Sequence, residues 1–565
     1  MLPLLRSTKA LKPQRCLAVS PKRFSHSISD HCDIVIVGGG PAGLALATAL
    51  GSCRNIQASL RVVLVEASDL SKVKQWSLPE GYSNRVSSIT NASRGFLQDI
   101  GAWPMVEVSR TGPVEEIQVW DGVSDARITF SASEMLPAQS TVELSRLTEN
   151  LNLQRALLHR LSSLGAVELV DRVKVQSIIQ ENTEGSTWPL VHLSDGRVIR
   201  TRLLVGADGP NSPVRTYAGI KSYGWAYDTH AIVGTLYHAP RGPYSSPNTT
   251  AYQRFLPTGP IAFLPLSETA SSLVWSTKPP LAAALKAVDP SVLAAMINAA
   301  FRLPEVSMRY LHSRIVEAQE RGSPITLDEL REEIAFRERS HAIDSHSAYS
   351  SLVVQQDTSG IPPEGADGLP PLVTSIQPGT IASFPLRFSH AESYIGEGAG
   401  ARTVLVGDAA HTTHPLAGQG LNMGLADVRA LADCISQAVS RGLDLGSYTA
   451  LLPYSRNRYL ENHKMLAAVD KLHKLYSTTA EPVVWARSVG LEVINELDTI
   501  KTALMMSAGS RTQTNAGQLS WGLAAKGVES VARSIGSARS FGEGIAGMAS
   551  AGLQQLARQI TNPRQ

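Results

Sequence analysis

The sequence predicts an α/β protein: a Rossmann-type domain that is discontinuous along the chain, a second domain built on an antiparallel sheet, and a helical C-terminal part. Three observations predict it. A β-branched run, Asp33-Ile34-Val35-Ile36-Val37, passes through the turn Gly38-Gly39-Gly40-Pro41-Ala42-Gly43 into a run of helix formers. Arg61-Val62-Val63-Leu64-Val65-Glu66 follows, giving strand, turn, helix and strand in the ~35 residues of one βαβ unit. Two further buried-strand patterns, at 203–206 and 403–406, each end in a turn that carries Gly and Asp. Between them, segments 231–236, 251–256, 261–266 and 272–277 are divided by Pro and Gly turns, the pattern of antiparallel strands.

The elements follow in chain order. Residues 1–30 read as a mitochondrial transit peptide: Arg6, Lys9, Lys12, Arg15, Lys22 and Arg23 all precede the first acidic residue, Asp30, and Leu2, Leu4, Leu5, Leu11 and Leu17 supply an apolar face. Residues 31–220 and 381–440 form the nucleotide-binding domain. Within it, 143–163 reads as a helix through Leu147, Leu151, Leu157, Leu158 and Leu161. Residues 221–380 form the second domain, with an insertion at about 300–380. There the highly charged stretch 317–339 reads as a solvated helix and 360–371 as a Pro/Gly-rich loop. A helix near 421–439 leads into C-terminal helices over 441–510. The tail, 511–565, is rich in Gly, Ala and Ser, and weak order is expected because each glycine costs a helix ~1 kcal/mol.

Composition narrows the function. The chain has 565 residues, 52 basic and 49 acidic, and the first 24 hold six of the basic ones. The remainder is slightly acidic, which excludes a general nucleic-acid-binding surface. Cys16, Cys32, Cys53 and Cys434 form no C-x-x-C pair, as expected of free thiols in a reducing compartment. No apolar run approaches the ~18–20 residues of a membrane span, so any membrane association is expected to be peripheral.

Gly38-x-Gly40-x-x-Gly43 has the context that makes such a motif informative, a strand before it and a helix after it. Gly38 permits the tight turn, Gly40 lets backbone approach a pyrophosphate, and Gly43 allows close helix packing. Glu66, twenty-three residues on, is placed to accept hydrogen bonds from ribose hydroxyls, which favours FAD or NAD over NADP. Gly542-x-Gly544-x-x-Gly547 matches the same pattern but has no strand before it and is set aside. Two more turns favour FAD: the segment from Gly206 to Arg215 with Asp208 and Gly209, and Gly407-Asp408 running on to Pro415, Gly418, Gln419, Gly420, Leu421 and Asn422. Asp408 is placed for a ribityl hydroxyl. The helix beginning near 418–421 presents free N–H groups and a positive dipole end to the flavin edge that becomes anionic on reduction. His411 and His414 have no third ligand nearby and read as structural, and Trp275 reads as sheet core.

These three turns, in this order and spacing, resemble the fingerprints of the class A flavoprotein aromatic hydroxylases, over roughly residues 31–475. Within them the chain is most similar to the ubiquinone-biosynthesis monooxygenases, through 83–89 (Ser-Asn-Arg-Val-Ser-Ser-Ile), 253–260 (Gln-Arg-Phe-Leu-Pro-Thr-Gly-Pro), 273–277 (Leu-Val-Trp-Ser-Thr) and 414–422 (His-Pro-Leu-Ala-Gly-Gln-Gly-Leu-Asn). The resemblance implies a para-hydroxybenzoate hydroxylase-like fold and hydroxylation at C5 of a polyprenyl-4-hydroxybenzoate-type ring with O2. It implies Arg85 and Gln154 near the flavin, Asp208 and Asp408 holding it, and 418–421 facing the isoalloxazine. It also implies ferredoxin and ferredoxin reductase as electron donors, a ubiquinone-biosynthesis complex as partner, and a matrix location peripheral to the inner membrane. The insertion and the long tail depart from the compact family pattern. Two readings stay open beside it: an NAD(P)H-dependent hydroxylase of a small soluble phenol, and an FAD-fold assembly module without activity.

Overall fold

The computed structural model describes residues 30–77, 81–134, 143–181, 188–242, 244–352, 363–415 and 418–496. The leader, the tail and the second glycine motif lie outside them. The β-branched runs read from the sequence form the centre of a seven-stranded sheet. Val167–Val170, Val62–Val65, Asp30–Val37 and Val198–Gly206 lie side by side and parallel. Thr403–Leu405 extends the parallel set by pairing with the end of Val198–Gly206, while Pro189–Leu193 and Val175–Gln180 continue from its beginning as antiparallel strands. Ile34, Val35, Ile36, Val63 and Leu64 are fully buried, as parallel strands covered on both faces must be. Helix Pro41–Ser52 lies in this core, buried almost throughout, with Asn150–Leu164 and Gly420–Ser440 against it.

The second sheet has nine strands and recruits more of the chain than the alternating pattern at 231–277 announced. Its centre is the 17-residue strand Ser222–His238, with Ala270–Thr277, Gly259–Pro265 and Thr250–Leu256 in antiparallel order. Ala382–Ala391 pairs with the other side of Ser222–His238. Thr250–Leu256 then takes Glu116–Asp121 as a parallel neighbour, with Arg127–Ser131 beyond it. This hairpin, from within the segment assigned by sequence to the nucleotide domain, is therefore a part of the second sheet.

Two local expectations are corrected. Residues 143–163 are not one helix: Ser145–Glu149 is a strand paired with Val86–Thr90 and Thr111–Val114, and the helix starts at Asn150. Pairing on both edges overrides the helical leucine spacing, and Leu147 belongs to the sheet. The charged stretch 317–339 is not one solvated helix either. It is divided between Glu305–Glu320 and Leu327–Ser340 at Gly322, whose φ is +68°. Thr326 and Glu329 form a capping box that restarts the helix. With Pro279–Ala287 and Pro290–Arg302 these helices cover the outer face of the second sheet, where Leu311, Ile315, Leu330 and Ile334 meet Ile232, Ile261 and Trp275 in one core. Trp275 is fully buried there, as sheet core. No described helix is long and apolar enough to cross a membrane.

Candidate active site

The three glycines of the first turn answer three different demands. Gly38 has φ +108°, and a Cβ there would lie 2.3 Å from the Ala207 carbonyl oxygen. At Gly43 a Cβ would stand 1.9 Å from the Gly38 carbonyl oxygen, so helix and turn touch backbone to backbone. Gly40 faces open space, with nothing within 4 Å of a Cβ. Helix Pro41–Ser52 starts there with Gly40 as N-cap, no side-chain cap and no acid in its first turn. Its first N–H groups and dipole are left for an anion. Glu66 accepts from the Gly39 N–H and, at 2.7 Å, from the Ser68 N–H, which holds the carboxylate at the rim of the turn. Gln154 donates to the Gly39 carbonyl at 3.3 Å.

The other two turns close on the first. Asp208 accepts from the Val214 N–H through Oδ2 at 3.1 Å, while Oδ1 is buried with no partner. Burial raises its pKa, against the pull of Ser212. Gly209 has φ +84° and open space beside it. Gly407, with φ +59°, lies 3.3 Å (from a Cβ built on it) from the Ala42 side chain and 3.9 Å from Gly424. Asp408 is open to solvent yet hemmed in by protein, the position of a group on a cleft floor, and desolvation raises its pKa. The three sequence-predicted turns thus meet, Gly38 against Ala207 and Asp208, and Gly407 against Ala42.

Pro415 and Gly418 close a turn, N–H to carbonyl at 2.9 Å, and Gln419 is the N-cap of Gly420–Ser440. The first intrahelical bond runs from Met423 to Gln419, so the N–H groups of Gly420, Leu421 and Asn422 have no partner within the helix. The Asn422 side chain is spent on the protein: Nδ2 donates to Ser88 O at 2.7 Å and Oδ1 accepts from the Thr90 N–H at 3.1 Å. It ties the helix start to strand Val86–Thr90. Gly418 lies beside Ser88, 3.6 Å from a built Cβ. Arg85, just ahead of that strand, is exposed and makes no ion pair among the described residues.

Sequence reasoning missed what stands behind the Gly407 turn. Asp427 is fully buried and accepts from the Gly407 N–H at 3.1 Å, His411 at 2.6 Å, Arg458 at 2.9 Å and Asn462 at 2.8 Å. Burial alone would raise its pKa, but the His411 and Arg458 charges and hydrogen bonds outweigh it and hold the carboxyl at about 2. The visible signal was an acid at the centre of an otherwise apolar helix stripe. His411 is thus held by hydrogen bonding to Asp427, and no group of three metal-ligating side chains occurs among the described residues. His414 packs edge-on to Tyr227, with ring centroids 5.2 Å apart.

A second omission is the clamp between the two sheets. Gln377 accepts from the Tyr82 N–H at 2.7 Å and donates to the Tyr82 carbonyl at 2.8 Å, while Asn84 donates to Thr380 O at 2.7 Å. These bonds hold the segment that carries Arg85 against the second sheet. On the sheet face opposite the helices, the cross-strand row Val233, Val274, Ala262, Gln253 and Val119 is fixed by register. Alternation points this row to the face opposite the Trp275 core. All but Val233 are half-buried, so the row makes an apolar wall with one amide in it.

The free acceptor of Asp208, the open side of Gly40 and the two uncapped helix starts fit a dinucleotide whose ring edge carries hydrogen-bond acceptors, as that of FAD does. A family profile described as "FAD binding domain" matches residues 31–322 and 377–485, and so leaves out 323–376, where helix Leu327–Ser340 lies. The chain is 38% identical over 510 residues to "Ubiquinone biosynthesis monooxygenase COQ6, mitochondrial" of Saccharomyces cerevisiae, covering 89% of this chain and 98% of that one. It is 39% identical to the protein of the same name from Xenopus tropicalis, covering 84% and 93%, and 35% identical to that of Homo sapiens, covering 87% and 95%. Among solved structures, p-nitrophenol 4-monooxygenase PnpA of Pseudomonas putida aligns with TM-score 0.56 at 16% identity, over 86% of this chain and all of that one. PqsL of Pseudomonas aeruginosa aligns with TM-score 0.54 at 20% identity, over 82% of this chain and all of that one. The structural likenesses establish the fold; the profile and the sequence relatives establish that the chain belongs to the FAD-binding monooxygenases, in the family of the mitochondrial ubiquinone biosynthesis monooxygenases.

Proposed function

We propose that this protein is the mitochondrial FAD-dependent monooxygenase that hydroxylates C5 of a polyprenyl-4-hydroxybenzoate-type ring on the way to ubiquinone. The observation that supports the reading is the meeting of three nucleotide turns and an uncapped helix start, together with a half-buried apolar row carrying Gln253 on the second sheet. Bound FAD, once reduced, supplies the activation of O2. The chain's own residues bind, orient and exclude water. Gly38, Gly40, Gly43 and Glu66 take the adenosine and pyrophosphate, Asp208, Gly209 and Asp408 the sugar-like chain, and Arg85, Gln154, Pro415, Gly418, Gln419, Gly420 and Leu421 surround the ring system. The wall of Val119, Ala262 and Val274 suits an aromatic ring that carries an apolar prenyl tail.

The same reading places the enzyme in the matrix, peripheral to the inner membrane and within a biosynthetic complex, with electrons from ferredoxin and its reductase. The test is anaerobic reduction of the FAD-loaded protein followed by stopped-flow absorbance, with a prenylated 4-hydroxybenzoate present. Flavin bleaching only when ferredoxin and its reductase accompany NADPH, then a hydroxylated ring on admitting O2, is the expected result. Rapid bleaching by NADPH alone would favour a hydroxylase of small phenols fed directly by NAD(P)H. Failure to retain FAD would remove both enzyme readings.

A further inference from the structure

On the face opposite the Trp275 core, the second sheet is covered along two bands and open between them. At one end of the strands, Ala251, Ile117 and Leu264 pack with Val86, Val114 and Leu147 of the small sheet. At the other end, Asp121 is held by Arg487 at 2.7 Å, and Phe255 stacks on Tyr476 with ring centroids 4.0 Å apart. There too, Ala231 packs with Met423, in the first turn of helix Gly420–Ser440. Between the two bands run Val119, Gln253, Ala262 and Val274, all half-buried. Strand alternation puts Ala251, Gln253 and Phe255 on one face, and both flanking residues are buried. The opening at Gln253 is therefore a gap within a covered face. Both covers reach the flavin residues proposed above. Val86 shares its strand with Ser88, whose carbonyl accepts from Asn422, and Met423 is the next residue of that helix.

Gln253 is the one polar side chain of the open row. Its partners in register are Val119 and Ala262, and its amide makes no hydrogen bond with any described residue. A half-buried amide among apolar side chains gives up hydration without return unless a ligand supplies the missing partner. An apolar band with a single unpaired amide complements a mostly apolar molecule that carries an oxygen at a fixed position. A prenylated hydroxybenzoate is such a molecule.

We propose that Gln253 is a specificity-determining residue for the aromatic substrate. Its amide hydrogen-bonds an oxygen substituent of the ring, the hydroxyl or the carboxylate, while Val119, Ala262 and Val274 cover the ring and the start of its prenyl chain. The inference rests on the hydroxylase reading above and adds to it the contact that orients the ring. Apolar contact holds the ring without directing it, whereas a hydrogen bond from a fixed strand position selects one edge.

The test is a binding cycle on the FAD-loaded protein, read as the change in flavin absorbance on titration. Three compounds are compared: 3-prenyl-4-hydroxybenzoate, its analogue without the carboxylate, and its analogue without the hydroxyl. Wild type is expected to bind the parent about tenfold more tightly than the analogue that lacks the group Gln253 contacts. The weaker analogue identifies that group. Gln253→Leu and Gln253→Met keep apolar volume and remove the hydrogen bond. Both are expected to bind the parent about tenfold more weakly and to lose the preference, with FAD content and Tm unchanged. A preference that survives in both variants, or a wild type that binds all three compounds alike, would overturn the inference and leave the hydroxylase reading standing. Wild type that binds none of them would remove the hydroxylase reading, and this inference with it.

Discussion

At Gly43 a single methyl group decides whether the turn closes. Gly43→Ala would drive a Cβ to 1.9 Å from a backbone oxygen, where no side chain can yield. We expect a loss of about 1–3 kcal/mol from overpacking and a protein that elutes from gel filtration without flavin; a fully yellow variant of unchanged Tm would contradict the assignment. Asp427→Asn keeps the shape behind the Gly407 turn but strands the Arg458 charge. The expected cost is about 3–5 kcal/mol in urea unfolding. Three buried histidines set the acid limit at neutral to mildly acidic pH. Burial pushes His312 and His390 down to about 4, helped at His390 by the nearby His411 and His463 charges, and burial with His473 pushes His414 to about 3. Each has a folded pKa below the unfolded value of 6.5, so below that pH the unfolded chain binds more protons. Stability is therefore complete above 6.5 and falls as pH drops toward 4, by about 1.4 kcal/mol per pH unit for each histidine. The depressed Asp427 adds a loss only from about pH 4 downward. Urea midpoints that do not fall between pH 7 and pH 5 would refute this.

At the scale of elements, helix Gly420–Ser440 is positioned by its first turn. Asn422→Ala removes the bonds to Ser88 and Thr90 and leaves a buried N–H and carbonyl unpaired, at a cost of about 1–3 kcal/mol. Because that helix start is proposed to face the flavin, FAD affinity is expected to fall about tenfold, measurable by flavin fluorescence quenching. Much of this architecture was legible in the sequence. The strands at 33–37, 62–65 and 203–206 are apolar on both faces and could be nothing else, and the glycines around them have steric reasons that hold before any coordinates. What escaped was set by partners far along the chain. Ser145–Glu149 reads as helix until Val86–Thr90 and Thr111–Val114 lie on its two edges. Glu116–Ser131 carries no mark that it joins the second sheet. Arg458, Asn462 and Gln377 are ordinary polar residues until Asp427 and Tyr82 are brought to them. The turns of the candidate site were legible in the sequence, and the groups that hold those turns in place came only with tertiary structure.

For the molecule as a whole, neither half of the chain completes either sheet. The nucleotide sheet needs Thr403–Leu405, the second sheet needs Glu116–Ser131, and Gln377 and Thr380 clamp the Arg85 segment from the opposite side. A fragment ending at residue 300 is expected to bind no FAD and to show no cooperative calorimetric transition, whereas two independent domains would give a flavin-binding piece. Gln377→Ala should leave the flavin bound and raise KM for the aromatic substrate several-fold, since the clamp orders the cleft wall without forming the nucleotide turns.

The late arrival of Thr403–Leu405 also matters before the protein is finished. Leu204 pairs with Thr403, so about two hundred residues must be synthesised after one strand before its neighbour exists. At ~5–20 residues per second this interval is about 10–40 s, during which the first Rossmann strands keep an unsatisfied edge. Such distant pairing also slows folding once the chain is complete. A chain that locks this late stays pliable for longer, which suits the delivery to the matrix proposed above.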